Sequence, residues 1–193
     1  MKWQIKRKFE LIRKFTVAFL LACMMVAVPT ASRGYELGDK VLDFSYNDLD
    51  GKSHTLYQHE GEIVILNFFA TWCHYCSLEA PSLEKDIWQS YKDYKVTVIA
   101  LDLNEPLETV QDWVSNLELT YPVLVMPHSL FPYKFPNAGG VPHNVVIDKD
   151  MVLKYSELGY DKQAIKDEII AILGFDPLVP EPGTWGGIKA LFR

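Results

Sequence analysis

The chain has 193 residues, 49% hydrophobic and 13% aromatic, with a formal charge of −6 at neutral pH. That length supports one sizeable core plus terminal extras and is too short for two ordinary domains. The acidic balance excludes nucleic acid and anionic lipid as natural partners, because a negative surface repels both.

The first 32 residues stand apart. "MKWQIKRKFELIRK" carries six Lys or Arg and one Glu, and the uncharged "FTVAFLLACMMVAV" follows. As a helix, Phe15 to Val28 would be roughly 21 Å long, against roughly 30 Å of bilayer hydrocarbon, which suits a secretory signal better than a stable span. Processing is expected near Ala31 or Ser32. An uncleaved membrane anchor is the alternative, and "LLAC" at Leu20 to Cys23 has a faint likeness to a lipoprotein box. Without residues 1–32 the chain keeps 13 basic and 24 acidic groups, a formal charge of −11. Cys73 and Cys76 are then the only thiols left, and each has only the other as a partner.

The body is read as residues 33–175. "YELGDKVLDFSYNDLDGKSHTLYQHEG" predicts two short extended segments about an Asp50-Gly51 turn, an added hairpin. "EIVILNFFA" is an apolar run of the kind buried on both faces of a sheet, and it should lie mid-sheet. From Cys73 to about Tyr91, the residues Cys76, Ala80, Leu83, Ile87 and Tyr91 form a helical stripe, which Pro81 should bend. "KVTVIALDL" is a strand, "EPLETVQDWVSNLEL" a helix with Pro106 near its first turn, and "YPVLVM" a strand. Strands alternating with helices predict parallel βαβ units. "PHSLFPYKFPNAGG" is an ordered loop whose aromatics either rim a groove, with His128, or pack onto the sheet. "VPHNVVIDKDMVLKYSEL" gives two strands about a turn at Asp148 to Asp150. "DKQAIKDEIIAIL" is a helix stopped by Gly174. Residues 176–193 form a Pro/Gly-rich tail, either disordered or, through Trp185, Ile188, Leu191 and Phe192, a short amphipathic docking element.

Chemistry concentrates in "FFATWCHYCSLEAP". Cys73 falls where the buried strand hands over to the helix, and the free amides and dipole of a helix N-terminus stabilise a thiolate. Lowering a thiol pKa from about 8.5 to about 7 raises its ionised fraction at neutral pH from a few per cent to about half. The first cysteine of such a pair is expected to be exposed and to attack, and the second, one turn in and covered, to resolve the mixed disulfide. A zinc site would need two further ligands from His74, His128 or His143. Haem attachment would need a histidine where Ser77 stands. A purely structural disulfide closing so short a loop would constrain the unfolded chain little. A binding alternative is a metallochaperone-like module holding a soft metal on the same cysteines. A thiol peroxidase would need a Pro-and-Thr environment before its cysteine, which is missing here.

"ILNFFATWCHYC", Pro81 five residues after the second cysteine, and "GGVP" ahead of "HNVVID" resemble the thioredoxin superfamily. The leading "DFSYNDLDGKSHTL", the export segment and Glu79 resemble its TlpA/ResA-like thiol-disulfide oxidoreductases, some of which serve cytochrome c maturation. The likeness covers about residues 36 to 174. It implies an α/β thioredoxin fold, a central mixed sheet flanked by helices with an added N-terminal β-hairpin. It implies that Trp72 shapes the active-site surface, with a half-buried anchor as the plainer reading. It implies that Pro142 is cis, with Val141 offering its backbone to an extended substrate. Glu79 matches a family acid near the disulfide, where it would raise the thiol pKa and pass a proton to the leaving sulfur; the plainer reading is a solvent-facing glutamate. His143 either borders the site or is a strand residue.

No prosthetic group is implied. The partners implied are client proteins with disulfides and a membrane thiol reductant or oxidant. The resemblance favours a reductant, whereas a cationic His74 beside Cys73 would make the pair more oxidising.

Overall fold

The computed structural model describes residues 34–126 and 134–179. The expectations for the leader, Cys23, His128 and the tail from residue 180 onward lie outside them. The hairpin forms as its turn chemistry predicts: β1 (Ser45–Asp48) pairs antiparallel with β2 (Ser53–Thr55). Asp48 Oδ1 accepts the backbone N–H groups of Asp50 (3.0 Å) and Lys52 (2.9 Å), and Gly51 takes a positive φ of 82°. A short 3-10 turn at Tyr57–His59, unmarked by any periodicity in the sequence, leads on to β3.

Strand β3 (Ile63–Phe69) is buried along its whole length. It pairs parallel with β4 (Val96–Asp102) on one side and antiparallel with β6 (His143–Ile147) on the other. The full order is β2-β1-β5-β4-β3-β6-β7, where β5 is Val123–Val125 and β7 is Leu153–Leu158. Both parallel pairings, β3 with β4 and β4 with β5, are crossed by helices, as the alternating pattern requires.

Side chains alternate along a strand, so β3 supplies two cores at once. Ile63, Ile65 and Phe69 join the cluster that includes Ala80, Leu83, Ile87, Val110, Ile165 and Ile169. These come from α1 (His74–Ser82) and its continuation, α3 (Leu107–Asn116) and α4 (Lys162–Leu173). Val64, Leu66 and Phe68 face a second cluster with Val41, Leu56, Phe135, Val145 and Leu153. Phe135, from the proline-rich loop, is buried against Phe68 and Tyr35, so this loop aromatic packs onto the sheet. Among the described residues no helix is long and apolar enough to cross a membrane.

The helix after Cys73 departs from a simple bend. Pro81 lies inside α1; lacking an N–H, it cannot continue the ladder to Ser77, and its ring crowds that carbonyl. The backbone widens directly afterwards into a π-helical stretch, Leu83–Trp88, before the α-helical turn α2 (Gln89–Tyr91). Leu83 and Ile87 stay buried through the change, so the apolar stripe survives. Gly174 ends α4 in the left-handed region, with its N–H on Ile170 O at 2.8 Å.

Phe69 closes the helix-side core directly beneath the cysteine loop, its ring 4.6 Å from that of Trp113, which in turn donates to Ser77 Oγ at 3.0 Å. Phe69→Ala is expected to cost about 3–5 kcal/mol, the usual loss for a large buried aromatic. Urea unfolding followed by tryptophan fluorescence measures it.

Candidate active site

Strand β3 ends at Phe69, and four residues later Cys73 caps α1 in an extended conformation. Its Sγ accepts the N–H of Cys76 at 3.1 Å, one of the amides a helix start leaves unpaired. The two cysteines form a disulfide with their Cα atoms 5.2 Å apart. Cys73 is not the exposed residue the sequence predicts: it is 6% accessible against 1% for Cys76. The order of accessibility holds, but the loop at Val141 comes close, its carbonyl oxygen 3.5 Å from Cys73 Sγ. The Val141–Pro142 bond is cis, and it directly precedes β6.

Trp72 is 74% exposed, which removes the half-buried anchor reading. Tyr75 and Leu78, on the outer face of α1, are also exposed. Beside them runs a groove of about 510 Å³ lined by Tyr75, Leu78, Glu79, Gly140, Val141, Pro142, Leu158, Gly159 and Tyr160. His74 is exposed, its ring 5.8 Å from that of Tyr75. His143 does not reach the groove. It lies on the opposite sheet face, stacked on Phe68, with Nε2 2.9 Å from Ser156 Oγ. Ser156 gives its own proton to Pro136 O, so Nε2 carries the histidine hydrogen and Nδ1 stays bare and buried. Burial pushes the His143 pKa down to about 4.

Glu79 is only 4% exposed, which rules out a solvent-facing glutamate. Two side chains overlooked in the sequence meet it. Asn67 of β3 and Asn144 of β6 are cross-strand neighbours, and both donate to Glu79 Oε1, Asn144 at 3.3 Å. Oε2 is buried with no partner. Burial dominates, lifting the Glu79 pKa from 4.5 to about 7 against the opposing pull of the two amides. The signal for both asparagines was present: each is a lone amide inside an apolar strand, in "IVILNFF" and "HNVVI".

A second pair of acids braces the loop from the other side. Glu105 accepts the N–H and the hydroxyl of Thr71, each at 2.6 Å, and its own N–H donates to Asp102 Oδ2 at 2.8 Å. Asp102 is fully buried with Oδ1 unpartnered, and burial, then the neighbouring Glu105, raises its pKa to about 6. Among the described residues, no group of three or more His, Cys, Asp or Glu is gathered as a metal site.

A mixed sheet carrying a Cys-x-x-Cys disulfide at a helix N-terminus, faced by a cis-proline, defines a thioredoxin-fold redox protein. The AhpC/TSA family profile matches residues 37–156. ResA of Geobacillus kaustophilus, a thiol-disulfide oxidoreductase, is 30% identical over 65% of this chain and 71% of its own length. ResA of Halalkalibacterium halodurans is 39% identical, over 46% of this chain and about half (49%) of its own length. Among solved structures, a protein assigned as a disulfide isomerase from Bacteroides thetaiotaomicron superposes with a TM-score of 0.66 at 32% identity, covering 74% of this chain and 94% of that one. A DsbE-type thiol:disulfide interchange protein from Chlorobium tepidum does so at 0.66 and 25% identity, covering 72% and 99%. The chain belongs to the AhpC/TSA family and, within the thioredoxin superfamily, is a ResA-like thiol-disulfide oxidoreductase.

The buried carboxyl sets a pH dependence of stability. Below about pH 4.5 both folded and unfolded chains hold the Glu79 proton; between 4.5 and about 7 only the folded chain does. At this group the unfolded state therefore binds fewer protons in that window, and the stability Glu79 contributes falls as pH rises through it, levelling above about 7. The contribution of Glu79 is about 3 kcal/mol. Because Asp102 adds a decline of similar size between about pH 4 and 6, and the buried neutral His143 an opposing rise between about 4 and 6.5, the test is a difference. Chemical denaturation of the oxidised protein from pH 4 to 8 is expected to show wild type losing stability relative to Glu79→Gln as pH rises from 4.5 to about 7.

Proposed function

We propose that the protein reduces disulfides of client proteins outside the cytoplasm, with Cys73 as the attacking sulfur and Cys76 as the resolving one. The observation that carries this reading is the Cys76 N–H pointing at Cys73 Sγ, a bond that strengthens when the sulfur is a thiolate. In the reduced protein, the Cys73 thiolate attacks one sulfur of a client disulfide. The other client sulfur leaves as a thiolate and takes up a proton. Cys76 then gives its proton to Glu79, and its thiolate attacks Cys73. The bond to the client breaks, and the second client sulfur departs reduced. Two electrons have passed to the client, and the protein is left as the Cys73–Cys76 disulfide.

Trp72, Val141 and Pro142 receive the client in this reading. The groove beside the cis bond supports an extended segment, and the exposed Trp72, Tyr75 and Leu78 support apolar flanking contacts. The chain carries its electrons on the cysteine pair and needs no prosthetic group. A membrane thiol reductant regenerates it. Residues 1–32 direct export to the periplasm or outer surface, as a cleaved signal or as an anchor. Residues 33–175 form the redox domain, and 176–193 are a tail. The ResA-like relationship supports clients of cytochrome c maturation among its substrates.

Cys73→Ser is expected to abolish insulin reduction, and Cys76→Ser to accumulate a mixed disulfide visible on non-reducing gels. Equilibration of the couple with glutathione should give a potential near or below about −270 mV, the thioredoxin range; a value near about −120 mV would reverse the direction of electron flow.

A further inference from the structure

Four amide hydrogens converge on the Glu79 carboxyl or lock the groups that do. The backbone carbonyl of Gly159 can only accept, so the side-chain atom 2.9 Å from it must be Asn144 Nδ2. The Asn144 amide is thereby oriented, and its Oδ1 faces Asn67 at 3.0 Å, which requires Asn67 to present Nδ2 there. Asn67 Nδ2 divides its two hydrogens between Asn144 Oδ1 and Glu79 Oε1. Asn144 Nδ2 divides its own between Gly159 O and the same Glu79 Oε1. Gly159, held at a φ of 88°, also donates its N–H to Pro142 O at 2.7 Å. One backbone residue therefore ties the cis-proline loop to the amide pair.

The consequence falls on the carboxyl. Oε1 accepts two N–H bonds and Oε2, buried in a residue that lines the groove, accepts none. We propose that Asn67 and Asn144 are positioning residues that hold Glu79 by Oε1, so that Oε2 is the oxygen that takes and returns the proton during thiol–disulfide exchange. The inference rests on the exchange proposed above. Cross-strand pairing makes it possible: Asn67 and Asn144 stand directly opposite on β3 and β6, with their side chains on the sheet face of Ile65 and Val146, the one covered by α1. Both asparagines are buried, and their hydrogens are all used.

The titratable groups facing Glu79 from neighbouring elements are Tyr121, before β5, and Tyr160, after β7. Burial raises both tyrosines, Tyr160 to about 12, so both stay neutral across the working range. Cys76, on α1 itself, is the thiol whose proton the exchange proposed above passes to Glu79. Since the amides favour the charged carboxyl, removing either is expected to raise the Glu79 midpoint by about one pH unit.

The test is the pH profile of insulin reduction by full-length protein. Asn67→Ala and Asn144→Ala are each expected to move the limb that titrates near 7 upward by about one pH unit, and neither is expected to move the profile in a Glu79→Gln background. An unchanged midpoint in folded single variants, or an equal shift without Glu79, would overturn the assignment. Should the variants fail to fold, nuclear magnetic resonance on the wild-type protein decides it. The side-chain NH₂ signals of both asparagines are expected to titrate with the midpoint of the Glu79 carboxyl, and a silent amide would refute the clamp. A failure of Cys76→Ser to trap client refutes the exchange itself, whereas trapping with unmoved profiles refutes only the clamp.

Discussion

The short contact between Cys73 Sγ and the Cys76 N–H is the interaction around which the described structure is arranged. It exists because a strand ends and a helix begins within four residues, so the sulfur occupies the cap position and meets an amide that the helix leaves without a partner. A neutral thiol gains little from such a contact. A thiolate gains the hydrogen bond and the field of the helix end together, so the position favours negative charge on the sulfur once the disulfide is opened.

Several neighbouring features hold that junction in place. Thr71, two residues before the cysteine, is gripped through both N–H and hydroxyl by Glu105, whose own amide rests on the buried Asp102. Phe69 and Trp113 stack under the loop, and Trp113 reaches Ser77 on the first turn of α1. The carbonyl of Val141 stands over the sulfur from the opposite side. Each contact removes freedom from a segment whose work depends on sulfur positions, consistent with sites being held best by rigid elements.

The two buried carboxyls close to this loop, Glu79 and Asp102, share a common physics. Buried negative charge is costly, so Glu79 and Asp102 hold their protons to higher pH than free acids do. The stability these two carboxyls contribute is lost as pH rises toward neutrality, while Glu79 is left able to exchange a proton near pH 7, which is what the proposed exchange requires of it. A glutamate on the outer face of α1 would have cost nothing and held no such proton.

The strand-helix alternation, the hairpin about Asp50-Gly51, the doubly buried β3 and the redox pair at a helix start were all legible in residue patterns, because they depend on local chemistry: periodicity, turn residues and spacing. The cis state of Pro142 and the place of Glu79 came only through the family likeness, since neither has a local signature. The π-helical widening after Pro81 and the modest exposure of Cys73 were not legible, whereas of the two readings of His143 the strand residue holds. The widening is local, but Pro81 alone does not say whether the helix bends or widens; the cover over Cys73 comes from the distant Val141 loop. Asn67 and Asn144 show the division most plainly: 77 residues apart, each is an isolated polar oddity in an apolar run. Only the antiparallel register of β3 with β6 sets them opposite one another beneath α1, because hydrogen-bonded pairing between strands is a property of the assembled sheet.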